Sequence, residues 1–155
     1  MERVVKFRGK TLSGKWVYGD LVHFTNTQGV DTSVIITEHQ ATAESDDFDY
    51  ALCYARNEFK IVLPESVGQF TGLYDVNGEE IYEGDVIERY QDCPHYRNGV
   101  YYDGNAIYGV VQYIGGGFYI VAKENEVFKM CSNSDDMWIQ GNIHDNPNLL
   151  SDGRN

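Results

Sequence analysis

Apolar residues in this chain fall in short runs bounded by Gly, Asn, Asp or Pro, and the runs are rich in β-branched and aromatic side chains. That is a strand-and-turn pattern, and it predicts a mainly β, antiparallel fold. Eleven segments qualify as strands: residues 16–24, 34–37, 51–56, 59–63, 70–75, 80–82, 86–90, 108–114, 117–123, 126–130 and 137–143. No stretch carries the 3.6-residue period of a long helix. Single helical turns are predicted only where Pro opens one, at Pro64-Glu65-Ser66-Val67 and at Pro147-Asn148-Leu149-Leu150, the latter with Asn146 as its N-cap. Three turns link strands: Ser13-Gly14, which joins residues 10–12 to 15–19, Asn77-Gly78 and Gly115-Gly116-Gly117. Asn77-Gly78 reads as a two-residue type I′ hairpin, a turn that needs positive φ at both central positions.

A boundary is expected near Leu63-Pro64, because Pro ends or edges a strand. Residues 1–63 then form an N-terminal β meander. Residues 64–155 hold about five consecutive antiparallel strands, the count of a small SH3-like barrel, and the two halves either stand apart or share one core. Between the strands at 86–90 and 108–114 lies a loop, residues 91–107, that is long for a compact β domain.

Charge sharpens this division. The whole chain has 12 basic and 24 acidic side chains, a formal charge of −12. Residues 1–63 hold nine acids and seven bases, whereas residues 64–155 hold fifteen acids and five bases. Five bases crowd into residues 1–15, and Asp75, Glu79, Glu80, Glu83, Asp85 and Glu88 follow one another with no Lys or Arg between them. So acidic a chain repels phosphates, which argues against direct nucleic-acid binding. No stretch approaches a bilayer-spanning length, and the first residues lack the apolar core of a signal peptide, so a cytoplasmic location in the host cell is expected.

Candidate chemistry is sparse. The glycine triplet is followed by the strand-like Phe118-Tyr119-Ile120-Val121, not by the helix N-terminus a phosphate cradle needs. Asp75-Val76-Asn77-Gly78 resembles the head of a calcium loop, but the twelfth position is Val86 instead of a carboxylate. Asp75, Glu79, Glu80, Glu83 and Asp85 are the one carboxylate cluster dense enough for a metal-dependent hydrolase, yet period-2 geometry splits them between two faces. Cys93-Pro94-His95 lacks two further ligands for zinc, and Cys53, Cys93 and Cys131 form no Cys-x-x-Cys pair. No catalytic residue, metal site or cofactor motif is identified. Tyrosine is the unusual feature: Tyr90, Tyr96, Tyr101, Tyr102 and Tyr108 lie within nineteen residues. Tyr is enriched at protein-binding surfaces, while a lid of rings folded over the barrel explains the cluster equally well.

Read in series, several motifs resemble a known family. These are Phe7-Arg8-Gly9-Lys10 with Trp16-Val17-Tyr18-Gly19, then Val67-Gly68-Gln69-Phe70-Thr71-Gly72-Leu73, then Asp75-Val76-Asn77-Gly78-Glu79-Glu80-Ile81-Tyr82-Glu83-Gly84-Asp85-Val86, and finally Gly141-Asn142-Ile143-His144-Asp145-Asn146-Pro147. Over roughly residues 6 to 150 the chain is similar to the YopX family. The resemblance implies a phage or prophage protein with no assigned activity, and it carries over no catalytic residue. The His144-Asp145 pair departs from the family's pattern in the terminal turn.

The expected function is that of a non-enzymatic accessory protein that contacts another protein or a second copy of itself. The candidate surface is Asp75, Glu79, Glu80, Glu83 and Asp85 together with Tyr96, Tyr101 and Tyr102. Two alternatives stand beside it: an acidic DNA mimic that blocks a host nuclease or DNA-binding protein, and a metal-dependent hydrolase.

Overall fold

The computed structural model describes residues 4–25, 27–37, 59–90, 95–97, 100–102, 106–130 and 136–150. Within them the chain is almost wholly strand and turn, and it divides into two compact units, Met1–Gln69 and Phe70–Asn155. The fold is mainly β and antiparallel, as the pattern of short apolar runs requires. The strand expected at residues 51–56 and all three cysteines lie outside the described residues.

In the first unit, β1 (Phe7–Lys10), β2 (Trp16–Thr25), β3 (Asp31–Thr37) and β4 (Phe59–Val62) lie in the order β4-β3-β2-β1, and β5 (Gly68–Tyr74) joins beside β1 through Gly68 and Gln69. The sheet curls back on itself. Val62 at the end of β4 bridges to Thr11 just past β1, and the Leu63 N–H donates to the Lys10 carbonyl at 2.9 Å. Ser66, in a 3-10 turn at Pro64–Ser66, tightens this junction: its hydroxyl accepts the Lys10 N–H and donates to the Leu63 carbonyl, both at 2.7 Å. The curl works because β1 carries Gly9, where a Cβ would lie 2.8 Å from the side chain of Val62. Ile35, Val62 and Ser33 are buried on the inner face.

The second unit takes the rest of β5, then β6 (Glu80–Tyr82), β7 (Asp85–Tyr90), β8 (His95–Arg97), β9 (Val100–Tyr102), β10 (Ala106–Ile114), β11 (Gly117–Ala122), β12 (Val127–Lys129) and β13 (Met137–Asn142). Five of these form a sheet in the order β12-β11-β10-β7-β13, so the last strand returns beside the first of the meander. One face carries the core, Ile81, Ile87, Ile107, Val111, Ile120, Met130 and Met137. Val86 and Val110, paired across β7 and β10, are buried on the opposite face. The expected SH3-like barrel is not established. The sheet ends at β12 and β13, and among the described residues no backbone pairing closes it. A side chain links its ends instead. Arg89 on β7 donates from Nε to Asp136 Oδ2 at 3.0 Å, just before β13, and from Nη1 to the Lys129 carbonyl on β12 at 3.1 Å.

Two turns differ from expectation in an instructive way. At the β5–β6 connection Asp75 and Glu79 close a three-residue loop, with the Gly78 N–H donating to the Asp75 carbonyl at 3.0 Å. Gly78 has φ +82°, but Asn77 is not in the left-handed region, so this is not a type I′ turn. The Asp75 carboxylate, which accepts the N–H groups of Asn77 and Glu79, starts the turn two residues early. The two-residue turn with positive φ at both central positions is instead at Gly115 and Gly116, φ +57° and +95°, between the paired Ile114 and Gly117. Pro147–Leu150 forms turns without a helix. Asn146 does not cap forward: its Oδ1 accepts the Asn142 N–H at 3.4 Å and closes the preceding turn.

Candidate interaction face

The residues expected to form a contact surface divide into two groups. Asp75 and Asp85 are buried, at 4% and 2% exposure, and serve the fold. Asp85 Oδ2 accepts the Tyr82 N–H at 2.8 Å across the turn that joins β6 to β7. Asp75 accepts N–H bonds from Asn77 at 2.8 Å, Glu79 at 3.0 Å and Ile139 at 3.4 Å, and its Oδ2 also receives the Asn77 amide. Burial alone would raise the Asp75 carboxyl; these donors outweigh it and hold the pKa below its ordinary value. The adjoining Val76 N–H donates to the Met137 carbonyl at 3.0 Å, so the turn covers the outer edge of β13 from Met137 to Ile139.

The acids nearer the surface are Glu79, Glu80 and Glu83. Glu80 accepts the Tyr82 hydroxyl at 2.6 Å, and Glu83 accepts the Tyr113 N–H at 3.2 Å. Tyr96, Tyr101 and Tyr102 fall on a two-stranded hairpin, β8 with β9, in which Tyr96 pairs with Tyr101 and His95 with Tyr102. That hairpin occupies part of the segment expected to be loop. Among the described residues no three His, Cys, Asp or Glu side chains converge as a metal would require. His23 Nδ1 lies 3.1 Å from the Ser33 hydroxyl, a structural hydrogen bond.

A surface that the sequence reading did not single out lies on the first unit. The registers put Val22 opposite Val34 and Val34 opposite Ile61; in the next row Asp20 faces Ile36 and Ile36 faces Phe59. Phe24 lies opposite Thr32, and Tyr18 opposite Arg8. Side chains alternate along a strand, so these rows all project from one face, the outer side of the curl. Tyr18 is 44% exposed, Val22 39%, Phe24 49%, Phe59 47% and Ile61 56%, while Val34 at their centre is 4% exposed. Val22, Phe24, Phe59 and Ile61, half-exposed around the buried Val34, make an apolar patch on the order of 400 Å², the size of the largest patch on a typical monomer and often a functional one, and Tyr18 lies on the same face beyond Asp20. At its β1 margin the Arg8 guanidinium packs 4.8 Å from the Trp16 ring and the Lys10 ammonium 6.0 Å from it. Chemically, such a face buries apolar area against a matching surface.

The sequence profile described as YopX protein matches residues 6–151. Among solved structures the chain is similar to the crystal structure of protein EF1440 from Enterococcus faecalis. The TM-score is 0.52 and the identity 22%, over 96% of this chain and 99% of that one. At this identity the likeness is one of fold. No curated protein matches the chain.

Proposed function

The chain belongs to the YopX protein family, and on that footing we propose that it is a non-enzymatic protein-interaction module that meets its partner through the outer face of β2, β3 and β4. The exposed patch of Val22, Phe24, Phe59 and Ile61 is the observation that carries this reading. The setting we propose is that of a phage or prophage accessory protein acting in the bacterial host. A second copy of the chain is the simplest partner, because closed homo-oligomers with self-complementary faces are the commonest assemblies. Stable interfaces bury about 800 Å² per partner, so an apolar centre of this size needs a polar rim of similar area, for which Asp20 and Lys10 are placed.

The test is light scattering coupled to size exclusion on the full chain and on a Phe24→Ser/Ile61→Ser variant. The native chain should run as an oligomer and the variant as a monomer with unchanged circular dichroism. A native chain that stays monomeric at every concentration, and that cross-links to no second copy from a photoreactive residue at position 61, would remove the reading.

A further inference from the structure

The second unit holds a cleft of about 300 Å³ that the proposed interaction face does not use. Val86 supplies buried floor, with Ala106 and Tyr108 on the same face of the sheet, and the half-buried Leu149 and Leu150 form an apolar wall. Gln140, whose amide donates to Glu88 Oε2 at 3.0 Å, fixes one side. The mouth is different in kind. Lys123 opens the 3-10 turn Lys123–Asn125, and Glu126 follows directly after it, so one short turn sets a cation and an anion at the same rim. Among the described residues neither side chain is engaged by a hydrogen bond or an ion pair. The rest of this unit is strongly acidic, which makes a lysine beside an apolar hollow unusual within it.

We propose that this cleft binds a free amino acid with an apolar side chain. The volume lies at the small end of ligand pockets and has room for one amino acid of the size of leucine or phenylalanine. Charge complementarity sets the orientation. The ligand's carboxylate meets Lys123, its ammonium meets Glu126, and its side chain enters between Val86, Tyr108 and the two leucines. A ligand with only one of the two charges leaves half of the rim unmatched, and a polar side chain gains nothing from the floor.

Isothermal titration calorimetry on the full chain tests this with L-leucine and L-phenylalanine, against L-serine, N-acetyl-leucine and leucinamide. Leucine and phenylalanine should bind saturably and serine should not. Removing one ligand charge should weaken binding about two- to fivefold, the effect expected of one exposed ion pair. Lys123→Met and Glu126→Gln are exposed substitutions that leave the fold intact, and each should cause a loss of the same size. Leu149→Asp places a charge in the apolar wall and should abolish binding. No saturable heat with either apolar amino acid overturns the proposal. So does binding that is equally strong in the Lys123→Met/Glu126→Gln double variant.

Discussion

Asp75 shows how a residue that looks like surface chemistry can belong to the fold. Its carboxylate holds the N–H groups of Asn77, Glu79 and Ile139, two of them within its own turn and one on β13. Charge-assisted bonds of this kind leave costly orphans when the acceptor is weakened, so Asp75→Asn should lower stability by about 1–3 kcal/mol at neutral pH, read from urea midpoints. The pH dependence has a definite sign. The carboxyl ionises at a lower pH in the folded chain than its ordinary 3.8, so the unfolded state takes up the proton first as pH falls. The stabilisation is whole above the ordinary value, shrinks as pH drops through the folded one and is absent below it. Asp75→Asn should therefore flatten the acid side of the stability profile. An unchanged slope there would mean that the carboxylate is not the group responsible.

At the level of elements, most of the fold was legible in the sequence. Of the predicted strands, those at residues 16–24, 59–63, 70–75, 80–82, 86–90, 108–114, 117–123, 126–130 and 137–143 match observed ones to within two residues at either end. Strand β1 was signalled only by the Ser13-Gly14 turn after residues 10–12, because Phe7-Arg8-Gly9-Lys10 has a single apolar side chain and so no period of two; its pairing with β2 and β5 makes it a strand. The hairpin of β8 and β9 hides for a similar reason among tyrosines and polar residues. The outer face of β2–β4 left a trace in the adjacent apolar residues Leu21-Val22 and Val34-Ile35-Ile36, since a strand apolar on both sides breaks strict alternation. What the pattern could not say is which side the core would take. The Arg89 clasp is also tertiary, joining positions 40 and 47 residues away. Asp136 Oδ1 is buried with no hydrogen-bond partner, so Arg89→Met would strand the whole carboxylate. It should cost about 2–3 kcal/mol. Amide exchange at Met130 and in β12 should quicken, and Asp136→Asn in the same chain should recover part of the loss. If exchange in β12 is unaffected, the clasp does not hold the sheet's ends.

For the whole molecule the governing quantity is the charge of −12. Two copies repel at long range, and that repulsion is screened beyond about 8 Å at physiological salt. Association through an apolar face should therefore tighten as sodium chloride rises from low to moderate concentration, measured by sedimentation equilibrium. Contacts between acidic residues and a basic partner would weaken under the same change, so the sign of the salt effect separates the two modes. The family motifs acquire a physical meaning at this scale as well. Gly9 lets Val62 close the first unit, Asp75 and Asp85 fix turns, and Asn142 accepts the N–H groups of His144 and Asp145 in the terminal turn. They preserve a scaffold. One of them also limits how copies can join. With the Met137 carbonyl and the Ile139 N–H already taken up by the Asp75 turn, an incoming strand finds no ladder to extend along Met137–Ile139, and this part of the margin is blunted as a template for fibril growth.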